Sequence, residues 1–432
     1  MNMRYSRLSR WPIYYAMSRL LFSRHPLPPG PWCQLDQKEK IDRLFLLKQS
    51  AIHGPIFKAI SGNECCICIL GLARATRFLQ ENRDRLRPIT IQVAHLFPRG
   101  FLRQMQGPDH QHYRKLLVRA LREENPLRLG EELESIVAGR LAEFAQRQQQ
   151  GACTPETLIA ALSDISTDLL IRIFYGARPG SDRWARIRSG YRKLGPHGLV
   201  WNPGPPQESA FQELREGLRA ELLSPREPMD GLAQRLFAQG ALDDTMLGNL
   251  IYMVEMGRYD THSLFRWLCH YASDNQAWLE RITADDSPET ARAFVLETLR
   301  MDQSERLLRK VEHDLVFDGF LIPQHATVRL CLWESHKDEQ AFPDPFRFHP
   351  ERFLGTAPAA DQFSPFGLDH HHCPMAEIAT ALSTVFMRVL ARTYAVTAVA
   401  DGKPVRGAYH WEPTATFTVQ LTPREPTHHV VG

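Results

Sequence analysis

Hydrophobic residues recur at helical spacing along most of the chain, which predicts a mainly α-helical protein. One periodic run covers residues 127–175 and another covers residues 243–272. The second run is long enough for a single helix of about 45 Å, because an α-helix rises by ~1.5 Å per residue. A third run directly follows Cys373 and places these residues on one helix face: Met375, Ile378, Ala379, Leu382, Val385, Phe386, Val389 and Leu390.

Alternating apolar and polar residues predict short strands in the remaining parts of the chain. Residues 54–60 and 65–70 flank the turn-forming pair Gly62-Asn63, which is typical of a hairpin. Further alternating stretches between residues 309 and 332 and near residues 409–421 indicate small sheets. The predicted fold class is therefore mainly α with a small β subdomain.

Length, composition and charge narrow the class of protein. With 432 residues and a hydrophobic fraction of 43%, the chain can bury a large core, and no linker divides it. Its net charge of +3 argues against general nucleic-acid binding. The 8 cysteines are scattered and no secretory signal is evident, which predicts reduced thiols and a cytoplasmic location.

The first 31 residues differ from the rest of the chain. Apolar residues such as Trp11 and Phe22 are interrupted by arginines, so the segment is too short and too charged to span a bilayer. The pattern is compatible with an amphipathic arm on a membrane surface and with a helix packed on the body. Residues 26–31 form a proline-rich hinge. We predict an N-terminal arm over residues 1–31 and a single domain over residues 32–432.

Cys373 is the strongest candidate for chemistry. Proline is favoured at the first helical position, so Pro374 predicts that Cys373 caps the following helix, where the helix dipole favours an anionic sulfur. Three interpretations are open: a buried structural cysteine, a zinc ligand beside three histidines, and a thiolate ligand of haem iron. Zinc is disfavoured because neighbours in one short loop cannot all face one ion and no C-x-x-C pair is nearby.

The residues around Cys373 resemble the haem-binding loop of the cytochromes P450, whose pattern is Phe-x-x-Gly-x-Arg/His-x-Cys-x-Gly. Phe366, His371 and Cys373 match, whereas Asp369 and Met375 replace the two glycines. Aspartate tolerates left-handed backbone angles better than most residues, but its charge would make the iron harder to reduce. The resemblance implies the cytochrome P450 fold, haem b as the cofactor, and a haem-thiolate catalytic domain with Cys373 as the axial iron ligand.

Other residues resemble the family's cofactor contacts. His110 and Arg114 are four residues apart and project from one helix face, and the resemblance makes them ligands of a haem propionate. It gives a similar role to Arg309 and His371, with Phe366 beside the cofactor. A basic patch on the same helix would dock an acidic electron donor; it consists of Lys115, Arg119 and Arg122.

A structural lock is also implied. Glu297 and Arg300 form an E-x-x-R pair at one-turn spacing, and Arg352 follows in a Pro-Glu-Arg-Phe string. Together they resemble the family's Glu-Arg-Arg triad, a carboxylate shared between two guanidinium groups that fixes the segment ahead of the cysteine loop. Alone, an E-x-x-R pair is common on helices.

The middle of the predicted long helix resembles the family's distal helix, in which an acid and a threonine deliver protons to dioxygen. Alignment on Gly257 puts Tyr259 at the place of the acid and Asp260 at the place of the threonine. Use of Asp260 and Thr261 as the pair needs a one-residue shift, which a π-bulge would absorb. The structural alternative is that Asp260 pairs with a neighbouring arginine or histidine. Burying an acid in an apolar helix is costly, which favours a functional role for Asp260.

These resemblances predict a cytochrome P450-type monooxygenase that oxidises a small molecule in a biosynthetic pathway, with electrons from a ferredoxin or a flavoprotein reductase. Two alternatives stay open. The protein would use peroxide, or would isomerise or dehydrate its substrate without outside oxygen. Alternatively, it would be a catalytically silent haem-binding or partner-binding protein on the same fold.

Overall fold

The computed structural model describes residues 24–89, 93–123, 129–195, 203–226, 229–303, 306–355, 358–407 and 411–425. Most of the predicted N-terminal arm, residues 1–23, lies outside the described residues. Within the ranges described, no helix combines the length and the apolarity that crossing a membrane requires.

Helices dominate the described structure, as the hydrophobic spacing predicts. The run predicted over 127–175 is two helices, because the chain turns at Gly151 and restarts at Thr154, whose side chain caps the second helix. In chain order the helices are α1 (Leu35–Ile41), α2 (Phe45–His53), α3 (Leu72–Glu81), α4 (Gly107–Glu123), α5 (Gly130–Gln149), α6 (Pro155–Tyr175), α7 (Asp182–Lys193), α8 (Pro205–Leu223), α9 (Leu232–Ala238), α10 (Asp244–Asp274), α11 (Gln276–Ala284), α12 (Glu289–Thr298), α13 (Leu332–Ser335) and α14 (Ala376–Thr393).

The strands are short and form small sheets, which confirms the predicted fold class. They are β1 (Ile56–Ser61), β2 (Glu64–Ile69), β3 (Leu86–Pro88), β4 (Arg306–Val311), β5 (Leu315–Phe317), β6 (Phe320–Ile322), β7 (Thr327–Cys331), β8 (Tyr394–Ala398), β9 (Pro404–Arg406), β10 (Trp411–Pro413) and β11 (Val419–Pro423). The largest sheet has the order β1-β2-β7-β4-β3, in which only β2 and β7 are parallel neighbours. The other strands pair as β5 with β6, β8 with β11, and β9 with β10.

The chain divides into two compact units. The first comprises residues 1–90, 299–373 and 405–411 and contains the five-stranded sheet. The second comprises residues 91–298, 374–404 and 412–432 and contains α4 to α12 and α14. The arm over residues 1–31 and the single domain over residues 32–432 stay a prediction.

In the first unit, strand alternation gives the sheet two apolar faces. The β1–β2 hairpin turns at Gly62, whose φ is 61°, and pairs Ser61 with Glu64, as the sequence predicts. Ile67 points into one hydrophobic cluster with β7 and α3, whereas its neighbour Cys66 points into the other, beside α1 and α2. The period of two along a strand produces this division.

The second unit is organised around α10, which confirms the single long helix predicted over residues 243–272. Asp243 caps it, and its carboxylate accepts a hydrogen bond from the backbone N–H of Met246 at 2.7 Å. Phe265 stacks on Phe386 of α14 with ring centroids 4.2 Å apart. Because Trp267 is fully buried, this helix carries apolar surface on several sides.

The predicted cap at Cys373 is wrong. Helix α14 begins at Ala376 with Met375 as its N-cap residue, and the first helical bond runs from the N–H of Ala379 to the carbonyl of Met375 at 2.8 Å. Pro374 therefore belongs to the turn before the helix and not to its first position. The helix dipole acts within the first turn, so it contributes less at the sulfur than the sequence indicated.

A buried ion cluster holds α1, β7 and α13 together in the first unit. The Arg329 guanidinium lies 2.7 Å from a Glu39 carboxylate oxygen and 3.5 Å from one of Glu334, and all three side chains are at most 4% exposed. Burial would lower the pKa of Arg329, but the two carboxylates raise it above its ordinary value. The arginine is therefore charged, and its partners offset the cost of desolvation.

We expect Glu39→Ala to lower the free energy of unfolding by about 3–5 kcal/mol, because it leaves a buried guanidinium short of its nearest partner. Urea denaturation followed by circular dichroism measures this change. The control is Lys48→Ala, which breaks an ion pair with Asp42 whose lysine is 60% exposed, and should cost at most about 1 kcal/mol. Similar losses in the two variants would contradict the role of the buried cluster.

Candidate active site

The loop that ends at Cys373 keeps its thiol half-buried. The Cys373 N–H donates to the carbonyl of Phe366 at 2.9 Å, which closes the loop on itself. Five of the eight cysteines are buried instead, namely Cys65, Cys66, Cys68, Cys269 and Cys331. Cys373 is therefore more exposed than these five cysteines. Among the residues that the structure describes, no three His, Cys, Asp or Glu side chains are grouped to hold a metal ion.

The backbone of this loop turns through left-handed angles at two positions. Gly367 has a φ of 94° and Asp369 a φ of 56°. Asp369 opens a short 3₁₀ turn, Asp369–His371, and its carbonyl accepts from the N–H of His372 at 3.0 Å. The aspartate thus adopts the angle for which the family's pattern has a glycine, as its tolerance for such angles predicts.

The Asp369 carboxylate is paired with positive groups. Its two oxygens accept from Nη2 of Arg83 at 3.1 and 3.3 Å, and it also contacts Nδ1 of His370. Burial would raise the pKa of Asp369, but the hydrogen bonds from His370 and the charges of His370 and Arg83 hold that pKa below its ordinary value. The carboxylate is therefore ionised and largely compensated.

The start of the loop is fixed by a neutral histidine. The N–H of Ser364 donates to Nε2 of His336 at 3.0 Å, and the Ser364 hydroxyl donates to the Gly367 carbonyl at 2.5 Å. Burial holds the pKa of His336 far below its ordinary value, so the ring is neutral and can accept. Leu368 adds an apolar anchor, since it belongs to the cluster beneath the five-stranded sheet.

Strand β4 lies against this loop. A Cβ atom added at Gly367 would lie 3.6 Å from Cδ2 of Leu307, which shows how closely the loop backbone passes the strand. Arg309 is two residues further along β4 and so projects from the same face. Its side chain is 6% exposed, and Nη1 donates to the Leu308 carbonyl at 2.9 Å. Arg309 and the cysteine loop therefore belong to one region of the first unit, and His371 lies half-buried on the 3₁₀ turn.

In the second unit, α10 is α-helical at every residue from Asp244 to Asp274. The π-bulge that would have brought Asp260 and Thr261 into the places of the acid and the threonine is therefore absent. The alignment on Gly257, which puts Tyr259 at the place of the acid and Asp260 at the place of the threonine, needs no such bulge and stays a prediction. A π-helical turn does occur in the described chain, but at Leu299–Gln303.

Asp260 lies on a half-buried stripe of an otherwise mostly buried helix. We call this the open stripe: it consists of Met253, Met256, Gly257 and Asp260. Their spacing of three and four residues puts them on one face. At Gly257 an added Cβ would lie 3.1 Å from Cδ1 of Leu170, so this glycine allows α6 to approach closely.

Tyr259 and Thr261 point elsewhere, and both are nearly buried. The Tyr259 hydroxyl donates to Oε1 of Glu412 at 3.1 Å. Arg266 lies 3.4 Å from Oε2 of the same carboxylate and donates to the carbonyls of Pro413 and Thr414 at 3.2 and 3.1 Å. Tyr259 therefore anchors the segment after Trp411 to α10, and its hydroxyl is committed to that contact.

A second ion pair occupies another side of the same helix. Glu255 is 1% exposed, and its carboxylate lies 2.8 Å from the guanidinium of Arg258. Burial raises the pKa of Glu255, although the charge and hydrogen bond of Arg258 oppose it. Burial and the charge of Arg266 lower the pKa of His262 to about 4, so this ring is neutral near pH 7. Arg258 and Arg266 thus each engage a glutamate, and Asp260 interacts electrostatically with the neighbouring His262.

His110 and Arg114 project from α4, which confirms the predicted helix. His110 is 3% exposed and Arg114 is half-buried. The adjacent Tyr113 hydroxyl donates to the helix-capping Asp243 at 2.6 Å, which ties α4 to the start of α10. The exposed side of α4 carries the predicted basic patch, Lys115, Arg119 and Arg122.

Two of the three residues of the predicted structural lock are fully buried. Glu297, on α12, and Arg300, on the π-helical turn, are both fully buried. Arg300 donates to the carbonyls of His336, Pro345 and Arg347 at 3.0, 2.7 and 3.3 Å. Arg352 donates to the carbonyl of Asp344 at 3.1 Å. Both arginines therefore fix the backbone ahead of the cysteine loop, while the shared role of Glu297 stays a prediction.

Three residues contact these sites in ways that were not predicted from the sequence. Arg83 and His336 reach the cysteine loop, and Glu412 reaches α10, from positions far away along the chain. Arg83 stands in no motif, whereas His336 begins the His336-Lys337-Asp338 turn, which resembles a short basic-acidic turn of the family. The only signal was indirect: an aspartate in place of a glycine near a reactive cysteine calls for a cation to compensate it.

Comparisons with known proteins agree with this arrangement. The family model described as cytochrome P450 matches residues 287–410, which include the cysteine loop and the predicted lock. Abscisic acid 8'-hydroxylase 2 of Oryza sativa subsp. indica is 25% identical over 418 residues, which cover 85% of this chain and 81% of the relative. Abscisic acid 8'-hydroxylase 1 of Arabidopsis thaliana is 23% identical over 427 residues, 88% of each chain.

Solved structures share the fold. Retinoic acid-bound cyanobacterial CYP120A1 matches with a TM-score of 0.71 and 21% identity, over 93% of this chain and all of the other. A zebra fish cytochrome P450 structure with progesterone matches with a TM-score of 0.68 and 17% identity, over 88% of this chain and 99% of the other. The family match over residues 287–410, the curated relatives and the shared fold lead to one conclusion: the chain is similar to the cytochromes P450 and has their fold.

Proposed function

We propose that this protein is a haem-thiolate monooxygenase in which Cys373 is the axial ligand of the iron. The observation that carries the proposal is that Cys373 is half-buried, at the end of a loop that is held at Phe366, Ser364 and Asp369. Only an accessible thiol can reach a metal, and a thiolate is the soft donor that this class of haem uses. When bound, the haem supplies dioxygen activation, which the thiolate assists by donating electron density.

The residues present fit that cofactor. The chain places a sulfur donor on an accessible loop, and it buries basic side chains suited to carboxylates at Arg309 and His110. These two, with Arg114 and His371, would hold the haem propionates, and Phe366 would contact the ring. The lock formed by Arg300 and Arg352, together with Glu297, would keep the cysteine loop in place.

Asp260 is the proton-delivering group in this proposal. It is the carboxylate of the open stripe, whereas the Tyr259 hydroxyl is engaged by Glu412 and Thr261 is nearly buried. The carboxylate would take a proton from water and release it on the open stripe, as a general acid. Thr261 has at most an auxiliary role.

The partners follow from the same proposal. Lys115, Arg119 and Arg122 form an exposed positive patch on α4, which suits an acidic ferredoxin or a flavoprotein reductase. The two relatives are named for the 8'-hydroxylation of abscisic acid. We infer by analogy that the substrate is a small apolar carboxylic acid, and the two Met residues of the open stripe offer it an adaptable apolar surface.

A second candidate is favoured by the regular register of α10. Without the π-bulge there is no adjacent acid and threonine at the family's places, since Tyr259 and Asp260 stand there. Such a helix suits an enzyme that uses peroxide or rearranges its substrate without outside oxygen. Turnover with dioxygen and a reductase supports the first candidate, and turnover with neither supports the second.

We expect Cys373→Ser to abolish the red-shifted absorption band of the reduced, carbon-monoxide-bound protein, because that band requires a thiolate ligand. The spectrum of the full-length purified protein gives the answer. Cys33→Ser is the matched control, since Cys33 is also half-buried but lies in another segment, and this variant should leave the band in place. A band that survives in Cys373→Ser would exclude Cys373 as the ligand.

We expect Asp260→Asn to reduce the rate of product formation by roughly 10²-fold with dioxygen and a reductase, because the amide cannot serve as a general acid. Product formed per reducing equivalent should fall with it, because reducing equivalents are then lost as hydrogen peroxide, which takes two electrons and two protons per dioxygen. Tyr259→Phe serves as the discriminating variant, since it removes the hydroxyl at the family's acid place. If Tyr259→Phe lowered the rate of product formation while Asp260→Asn kept normal coupling, proton delivery would be assigned to Tyr259 and not to Asp260.

A further inference from the structure

Asp369 occupies a position at which glycine would be the less strained choice. Its φ of 56° lies in the left-handed region, which a side chain disfavours. Its own backbone therefore gives no reason for an aspartate here. The reason has to lie in what the carboxylate contacts.

The carboxylate is held from outside the loop. Arg83 follows α3 directly, in the short 3₁₀ turn Arg83–Arg85, and donates to both Asp369 oxygens at 3.1 and 3.3 Å. The Asp369 side chain is only 10% exposed, whereas Arg83 is 52% exposed. A carboxylate that is removed from water in this way needs a compensating charge, and Arg83 supplies it together with His370.

The same turn leads directly to the candidate ligand. The Asp369 carbonyl accepts from the N–H of His372, and the next N–H, that of Cys373, donates to Phe366. Whatever fixes Asp369 therefore fixes the backbone on the N-terminal side of the sulfur.

We propose that Arg83 and Asp369 form a clasp that positions the cysteine loop and cancels the negative charge of the carboxylate near the sulfur-bound iron. The part that concerns iron rests on the proposed function, whereas the positioning of the loop does not. An uncompensated carboxylate would favour the ferric over the ferrous state, because reduction removes positive charge from the metal. With Arg83 in place, the aspartate substitutes for glycine without making the iron harder to reduce.

A second pair of the same kind provides a matched control. Asp318, in the turn between β5 and β6, also has a left-handed φ, of 46°, and accepts from Nη2 of Arg77 at 2.6 Å. Arg77 is 48% exposed, close to the exposure of Arg83. Arg77→Gln thus removes an arginine–aspartate pair that belongs to a different turn, where Arg74 also lies 3.5 Å from the Asp318 carboxylate.

Hydrogen exchange at the Cys373 amide of the full-length protein tests the positioning role, with or without haem. We expect Arg83→Gln to speed this exchange on the order of tenfold, because a charge-assisted contact that holds the turn is lost. Arg83→Lys keeps the charge and should fall between Arg83→Gln and the wild type. Arg77→Gln should leave exchange at Cys373 unchanged. Equal exchange in Arg83→Gln and the wild type overturns the clasp.

The midpoint reduction potential of the haem-loaded protein tests the charge role. Arg83→Gln should lower the potential, and the double variant Arg83→Gln/Asp369→Asn should bring it back towards the wild-type value. An unchanged potential in Arg83→Gln overturns the cancellation of charge. A wild-type protein that takes up no haem, while Arg83→Gln still speeds exchange, overturns the proposed function but supports the positioning role.

Discussion

A cysteine that is to bind a metal has to keep its sulfur accessible while the backbone around it is held still. A loop buried on all sides would block access to the thiol. A flexible loop would lose conformational entropy each time it bound the metal. Here the loop is fixed through its backbone, by the bond from the Cys373 N–H to Phe366 and the bond from Ser364 to a neutral His336. The sulfur side stays half-buried. In the same unit, Arg300 donates to the carbonyls of His336 and Pro345 and so fixes the backbone ahead of this loop.

In the long helix α10, buried charged and polar side chains likewise depend on specific partners. Glu255, Tyr259 and Arg266 are buried near its middle, and the cost of burying their polar groups requires partners. Glu255 forms an ion pair with Arg258. Glu412 forms an ion pair with Arg266 and accepts a hydrogen bond from the Tyr259 hydroxyl. These pairs also tie the helix to neighbouring segments. Asp260 lies on a different face, the open stripe, so the helix separates its structural charges from the carboxylate that has a candidate function.

The sequence predicted those features that depend on local spacing. The hairpin around Gly62, the extent of α10 and the left-handed angle at Asp369 each follow from residues close together along the chain. The start of α14 was misplaced, because a proline can precede a helix as readily as it can open one, and only the hydrogen bond to Met375 distinguishes the two. The partners of Asp369 and Tyr259 could not be predicted, because Arg83 and Glu412 become neighbours only through the tertiary fold.

The regular register of α10 also bears on how proton delivery could work without the family's acid and threonine. A threonine hydroxyl can only pass a proton on, whereas a carboxylate can hold one, so an aspartate at the place of the threonine can combine the two roles in a single side chain. Position 259 would then no longer have to carry the acid. Tyr259 fills it with a hydroxyl that holds the segment from Glu412 to Thr414, in concert with Arg266. Under the proposed function the two substitutions would be coherent: Asp260 would move the acid by a single position, and Tyr259 would use the other position as a structural anchor.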